Sequence, residues 1–306
     1  MFSKTGRVST FSSLLRLISS ALTLASLLLV GFWLYTRREE LATIRWAAQW
    51  KVFLLLIGMY GLSLVLNFVV WHSCTRSVVD IAWSRDLGLY AYSNLSRRLP
   101  SGLGYLFVRA VRYRVEHLEP PVVLYFSAQE LLLQVVTGIS LAWIVSFPVA
   151  VPNWVTYILA SLLLIPIAFV IRPSVLSGLL GKFGRGRLPV PGMPRWLVLG
   201  WLFAYVLAWL NGGLMLHILL VNTVGTGVIT LRQTVGLWSF TASLGLLGSL
   251  VPLGQFARDA SLSLLLQGYM PLPVAAAVTI AFRFILTVGD VIWSLILWKV
   301  GAFLHN

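Results

Sequence analysis

Five ionisable side chains stand within or beside long apolar runs: Glu130, Arg258, Asp259, Arg283 and Asp290. At the centre of an isolated membrane helix each costs about 2.5–3.5 kcal/mol. A leucine there contributes only tenths of a kcal/mol in the other direction. Such groups must pair or face water. A guanidinium offers a planar fork that fits phosphate or carboxylate, and a nearby carboxylate can orient that fork or carry a proton. Spacing restricts the partners. Arg258 and Asp259 are adjacent in "PLGQFARDASL". They lie about 100° apart on a helix and do not face one another, so each is expected to find its partner elsewhere. Arg283 and Asp290 share a helix face, two turns apart, and Glu130 follows Gln129 with Gln134 one turn on. All five are expected to join one network around a polar cavity.

Other chemistry is sparse. His72, His117, His217 and His305 are isolated, without metal-ligand spacing. No GxSxG, HExxH or Asp-x-Asp motif occurs. No catalytic residue, metal or cofactor is therefore assigned. The single Cys74 excludes an intramolecular disulfide. Arg97 and Arg98 stand just before "LPSGLG", where they either bind a phosphate headgroup or anchor the chain at the membrane surface.

The elements that position these groups follow from composition. The chain has 306 residues, 58% hydrophobic and 10% charged. A soluble domain is nearer one quarter charged. Crossing a membrane takes about 20 mostly apolar residues. Seven runs qualify: 17–35, 52–71, 122–147, 151–171, 196–221, 236–252 and 273–299. The first reads as an uncleaved span, because no small-residue cleavage site follows it. The expectation is an all-α, polytopic bundle of about 7–8 spans, forming a single integral membrane domain over 1–306.

A net charge of +14 would point to nucleic acid in a soluble protein. Here cytoplasmic loops collect Lys and Arg instead, and no nucleic-acid partner is expected. With the N-terminus inside, segments 1–16, 72–121, 172–195 and 253–272 hold 16 of the 23 basic residues and the outer segments hold 6. The N-terminus is thus expected on the cytoplasmic side. Trp33, Trp46, Trp71, Trp154 and Trp196 fall near span ends, as an aromatic belt requires.

Each half contains one break. Pro100-Ser101-Gly102 precedes a helix carrying Arg109, and Pro252-Leu253-Gly254 precedes a helix carrying Arg258. Paired interruptions of this kind mark binding sites in transporter-like folds. Pro252 and Gly254 expose backbone groups that are tolerated only where they line a wet cavity or are buried in protein. Broken or re-entrant helices are therefore expected in each half. In the first, Leu103, Leu106, Phe107 and Ala110 recur on one face, with Arg109, Arg112 and Glu116 opposite. That pattern predicts an amphipathic helix lying in the membrane interface.

Asn94, Pro100 and Gly102, Arg109, Glu130, then Pro252, Gly254, Arg258, Asp259 and finally Arg283 follow a recognisable order. On these residues the chain resembles the transmembrane region of lysylphosphatidylglycerol synthases, a flippase-like family that also occurs as stand-alone membrane proteins. The likeness covers about residues 85–295. "PSG" stands where the family has Pro-Gly, and "PLGQFARD" keeps one of three glycines with Asp for Glu. No soluble aminoacyl-transfer domain is found, so synthase activity is not carried over. The resemblance implies a flippase-like transporter of the bacterial or archaeal cytoplasmic membrane. It would bind an anionic lipid, a phospholipid or a polyprenyl-phosphate-linked glycan, in an intramembrane cavity. Arg258 and Arg283 would hold the phosphate, and Asp259, Asp290 and Glu130 would orient them or relay protons. The alternatives are an integral membrane lipid-linked glycosyl- or acyltransferase using the carboxylates as acid and base, or a non-transporting accessory subunit of a membrane-bound transferase.

Overall fold

The computed structural model describes residues 35–42, 44, 50–96, 104–146, 168, 172, 195–248 and 255–304. Among these residues every regular element is helical. The chain divides into two units, Met1–Ile44 and Arg45–Asn306. The described part of the first contains the short helix Arg38–Leu41, with the Arg38 guanidinium 5.6 Å from the centre of the Tyr35 ring.

The second unit holds α1 (Trp50–Arg76), α2 (Trp83–Leu95), α3 (Gly104–Tyr113), α4 (Pro120–Ser146), α5 (Arg195–Thr223), α6 (Leu231–Gly248), α7 (Gln255–Leu266) and α8 (Leu272–Phe303). Prolines stand at the beginnings of α4 and α8, where an N–H has no helical partner to lose. Several threonine hydroxyls inside the helices are satisfied locally. Thr137, Thr223, Thr241 and Thr279 each donate to the carbonyl four residues earlier, as buried hydroxyls do on helices.

Four helices, α1, α4, α5 and α8, are long and apolar enough to cross a membrane, the mark of an integral membrane protein. They coincide with the expected runs 52–71, 122–147, 196–221 and 273–299. The runs 17–35 and 151–171 lie outside the described residues, apart from Tyr35 and Ala168. The run 236–252 overlaps α6, which is not among those four helices, and residues 249–252 lie outside the described residues. Helix α7 packs against α6: Gly245 faces the Arg258 side chain so closely that an added Cβ would sit 2.6 Å from the Arg258 Cβ.

Contacts fix the directions. Asn211 of α5 donates to the Met59 carbonyl of α1, and Trp201 to Ser73, so α1 and α5 are antiparallel. Gln134 donates to Asn67 while Phe126 packs on Trp71, so α4 also opposes α1. Phe53 stacks on Phe284, and Trp293 donates to the Ile57 carbonyl, so α8 runs with α1. The short helices α2 and α3 pair antiparallel, with Asp86 at Tyr113 and Ser93 at Arg109. The unit thus repeats one order twice: long helix, two short antiparallel helices, long helix. The second set, α5–α8, runs opposite to the first, α1–α4.

One expectation needs correction: Arg109 does not share an outer face of α3 with Arg112, which is exposed. Arg109 is only 1% exposed, whereas Phe107 is 63% exposed and Val111 61%. Arg109 is drawn inward because a polar, aromatic pocket on α1, α2 and α4 receives its guanidinium. In a membrane the apolar residues then face lipid. Trp71 is likewise no belt residue: it is buried in the core with Phe68, Tyr90, Tyr113, Phe126 and Tyr205, while Trp196 is exposed at the start of α5.

Candidate functional site

A cavity of about 180 Å³ opens among α1, α4, α5, α6, α7 and α8. Its polar lining includes Tyr60 and Asn67 of α1, Gln134 of α4, Tyr205 of α5, Arg258 of α7 and Asp290 of α8. Gln134 donates to Asn67 at 3.1 Å. The Tyr205 hydroxyl is buried and has no hydrogen-bond partner among the described residues.

Local packing explains why the charged groups reach this place. Gly245 leaves room for the Arg258 stem between α6 and α7. Gly289 does the same for Tyr60, whose ring would stand 2.7 Å from an added Cβ. Tyr60 crosses that gap and donates its hydroxyl hydrogen to Asp290, which is buried.

Arg258 and Asp259 are in contact, against expectation. Arg258 Nε donates to Asp259 Oδ1 at 2.9 Å. Their Cβ atoms diverge, but the three-methylene arginine stem is long enough to curl back to its neighbour. The same carboxylate receives Arg283 Nη1 of α8 through its other oxygen. One aspartate therefore joins two guanidinium groups from two helices. Arg258 also lies 5.8 Å from the centre of the Trp238 ring, and Arg283 lies 5.1 Å from that of Phe256.

Glu130 does not belong to this cluster. It pairs with Arg109 Nη1 at 2.7 Å. Gln134, one turn further along α4, lines the cavity, whereas Glu130 stands about 6 Å nearer the helix start and meets α3. Arg109 is held firmly: its guanidinium lies 4.1 Å from the Trp71 ring centre and 4.9 Å from that of Tyr90, and Nε donates to Ser93 Oγ at 3.2 Å.

Beside it lies a group that sequence reasoning missed. Asp86 is fully buried. It accepts from Thr75 Oγ1 at 2.6 Å and from Tyr113 Oη, and its Oδ2 is 2.7 Å from His72 Nδ1. Tyr113 in turn accepts from Trp71 Nε1 at 2.7 Å. Burial, and then the adjacent Asp86 carboxylate, push the Tyr113 hydroxyl well above its ordinary pKa, so it remains the donor. His72 is thus not isolated. An acidic residue in the apolar stretch "DLGLYAYSNL" was the available signal, the same one that singled out Asp290.

The structure therefore brings Arg258, Asp259 and Arg283 together at α7–α8, with Asp290 on the same cavity as Arg258, and sets Glu130 apart with Arg109. Arg97, Arg98, Pro100, Gly102, Pro252 and Gly254 lie outside the described residues. Among the described residues no group of His, Cys, Asp and Glu is arranged to hold a metal ion. Fold and site define an all-helical protein with four candidate membrane crossings around a polar, charged cavity. Compared with protein families, with curated proteins and with solved structures, the chain has no match.

Proposed function

We propose that this chain is a flippase-like membrane transporter that takes the anionic headgroup of a lipid into the central cavity. The observation that carries this reading is the pair of arginines sharing one carboxylate beside the cavity. Two guanidiniums meet one aspartate there, and a phosphate suits the arginine fork. Asp290, held by Tyr60, faces the same cavity and keeps a second charge sign available for orienting the headgroup. The resemblance to the transmembrane region of lysylphosphatidylglycerol synthases points the same way, toward a phospholipid or a polyprenyl-phosphate-linked glycan.

The proposed topology has α6–α7 and α2–α3 as re-entrant pairs entering from opposite sides, each returning to the side it left. Since α4 and α5 run in the same direction, the chain between them must come back across, which suits a further span at 151–171. The last helix then ends on the same side as α2, because Gly301 packs against Ser84 and Gly88. With the N-terminus and segment 172–195 cytoplasmic, segment 72–121 and the end of α8 are cytoplasmic too. Loops 224–230 and 267–271 are then external. Moving the two re-entrant pairs against the four long helices would open the cavity to one side at a time.

The test is lipid movement by the purified full chain in vesicles, read with headgroup-labelled phosphatidylglycerol and with a labelled polyprenyl phosphate. Arg258→Ala and Arg283→Ala should each reduce the rate at least tenfold, and Arg258→Lys should recover folding better than rate. Wild-type rates in both alanine variants would overturn the reading.

A further inference from the structure

A second pocket, of about 360 Å³, lies on the outside of the bundle where α2, α3 and the end of α8 meet. Its floor is bare backbone. Gly301 is so close to α2 that an added Cβ would sit 2.6 Å from the Ser84 carbonyl oxygen and 2.7 Å from the Gly88 nitrogen. Arg85, Arg112, Tyr92 and Trp298 stand around it. The two arginines differ. Arg85 is paired with Glu116, so together they are neutral. Arg112 instead lies flat on Tyr92, 4.1 Å from the ring centre, and no carboxylate is within ion-pair distance of it among the described residues. Tyr92 is tilted 6.4 Å from Trp298, which closes the other flank.

We propose that this groove is a peripheral binding site for an anionic phospholipid of the surrounding membrane, distinct from the central cavity and independent of the transport reading. Charge complementarity selects the headgroup: a phosphate meets Arg112, which has ring support but no counter-ion, and Arg85 at its edge. The rim selects a lipid over a free anion. Phe107, Val111 and Val115 continue outward from the Arg112 side of α3, and Phe303 from the end of α8, all largely exposed. These side chains have no use for dissolved phosphate, but acyl chains cover them. The negative surface potential of an anionic leaflet attracts an interfacial arginine, and the aromatic flank adds position to that attraction.

The test maps contact rather than total binding. The full chain is placed in phosphatidylcholine nanodiscs containing a minor fraction of phosphatidylglycerol with a photoactivatable group near its headgroup, and labelled peptides are identified after illumination. Labelling is expected on the peptides of α2 and of the end of α8. Arg112→Gln should reduce it at least fivefold, Arg112→Lys should reduce it less, and Lys51→Gln, at the start of α1 away from the groove, should leave it unchanged. An equal thermal midpoint of Arg112→Gln and wild type in pure phosphatidylcholine shows that the fold is intact. Three results would overturn the proposal: unchanged labelling in Arg112→Gln, equal labelling by phosphatidylcholine carrying the same group, or full suppression by millimolar inorganic phosphate.

Discussion

At the residue scale, two ionic clusters among the described residues differ in character. Arg109 and Glu130 form a closed pair, with the Trp71 and Tyr90 rings against the guanidinium and Ser93 accepting from its Nε. A buried cation–π contact adds about 2 kcal/mol. Breaking a buried pair by removing one partner strands the other charge and costs about 3–5 kcal/mol. Arg109→Ala and Glu130→Gln should therefore lower stability by that amount, read as a loss of thermal midpoint in detergent. The double variant Arg109→Met with Glu130→Gln should lose less than the sum, because no bare charge remains. Full additivity would show that the two side chains do not interact. The Arg258–Asp259–Arg283 cluster is open by comparison, since Arg283 is about one-third exposed and Arg258 reaches the cavity. That contrast is why the transport assay targets the second cluster and the stability assay the first.

Elements explain how these residues meet. A hairpin of two short helices sits between two long ones in each half, and each hairpin carries an arginine that meets an acid: Arg109 on α3 reaches Glu130 of α4, and Arg258 on α7 reaches its own neighbour Asp259. In the second half the link to the following long helix reverses sign, with the acid on α7 and Arg283 on α8. Close approach of α2 and α8 depends on Gly301, where an added Cβ would sit 2.6 Å from the Ser84 carbonyl oxygen and 2.7 Å from the Gly88 nitrogen. Gly301→Ala should therefore lower the thermal midpoint in detergent, because only backbone is there to give way, whereas Gly58→Ala, with nothing within 4 Å of an added Cβ, should not be strained. An unchanged midpoint in Gly301→Ala would contradict the packing of α8 on α2.

At the scale of the whole molecule, the inverted repeat carries a topological consequence. Under the proposed arrangement, basic residues still favour the inner side after α6–α7 is taken out of the crossing count: Arg258 joins Arg283 within the membrane, and Lys299 joins the inner end of α8. In the cysteine-free Cys74→Ser chain, Thr226→Cys in the loop between α5 and α6 should react with a membrane-impermeant thiol reagent on intact cells, whereas Gly184→Cys should not. The reverse pattern would invert the protein.

The long helices were legible in the amino-acid order because a membrane span is a local property: an uninterrupted apolar run of sufficient length identifies α1, α4, α5 and α8 whatever surrounds them. The charges were legible for the same reason, since Arg258, Asp259, Arg283 and Asp290 stand out against apolar neighbours. Pairing was not. Helical periodicity describes where a Cβ points and not how far an arginine stem reaches, so the Arg258–Asp259 contact escaped it. Periodicity also cannot tell lipid from water, and an interfacial helix and one with its arginine buried share the same amphipathic pattern; only the pocket formed by Trp71, Tyr90 and Glu130 decides that Arg109 of α3 turns inward. Composition and spacing by themselves determined a helical membrane chain with charges inside it. Which charges share a cavity, and which lock two helices together, was decided by tertiary packing, because the partners come from segments far apart in the chain and their distances exist only once the helices are side by side.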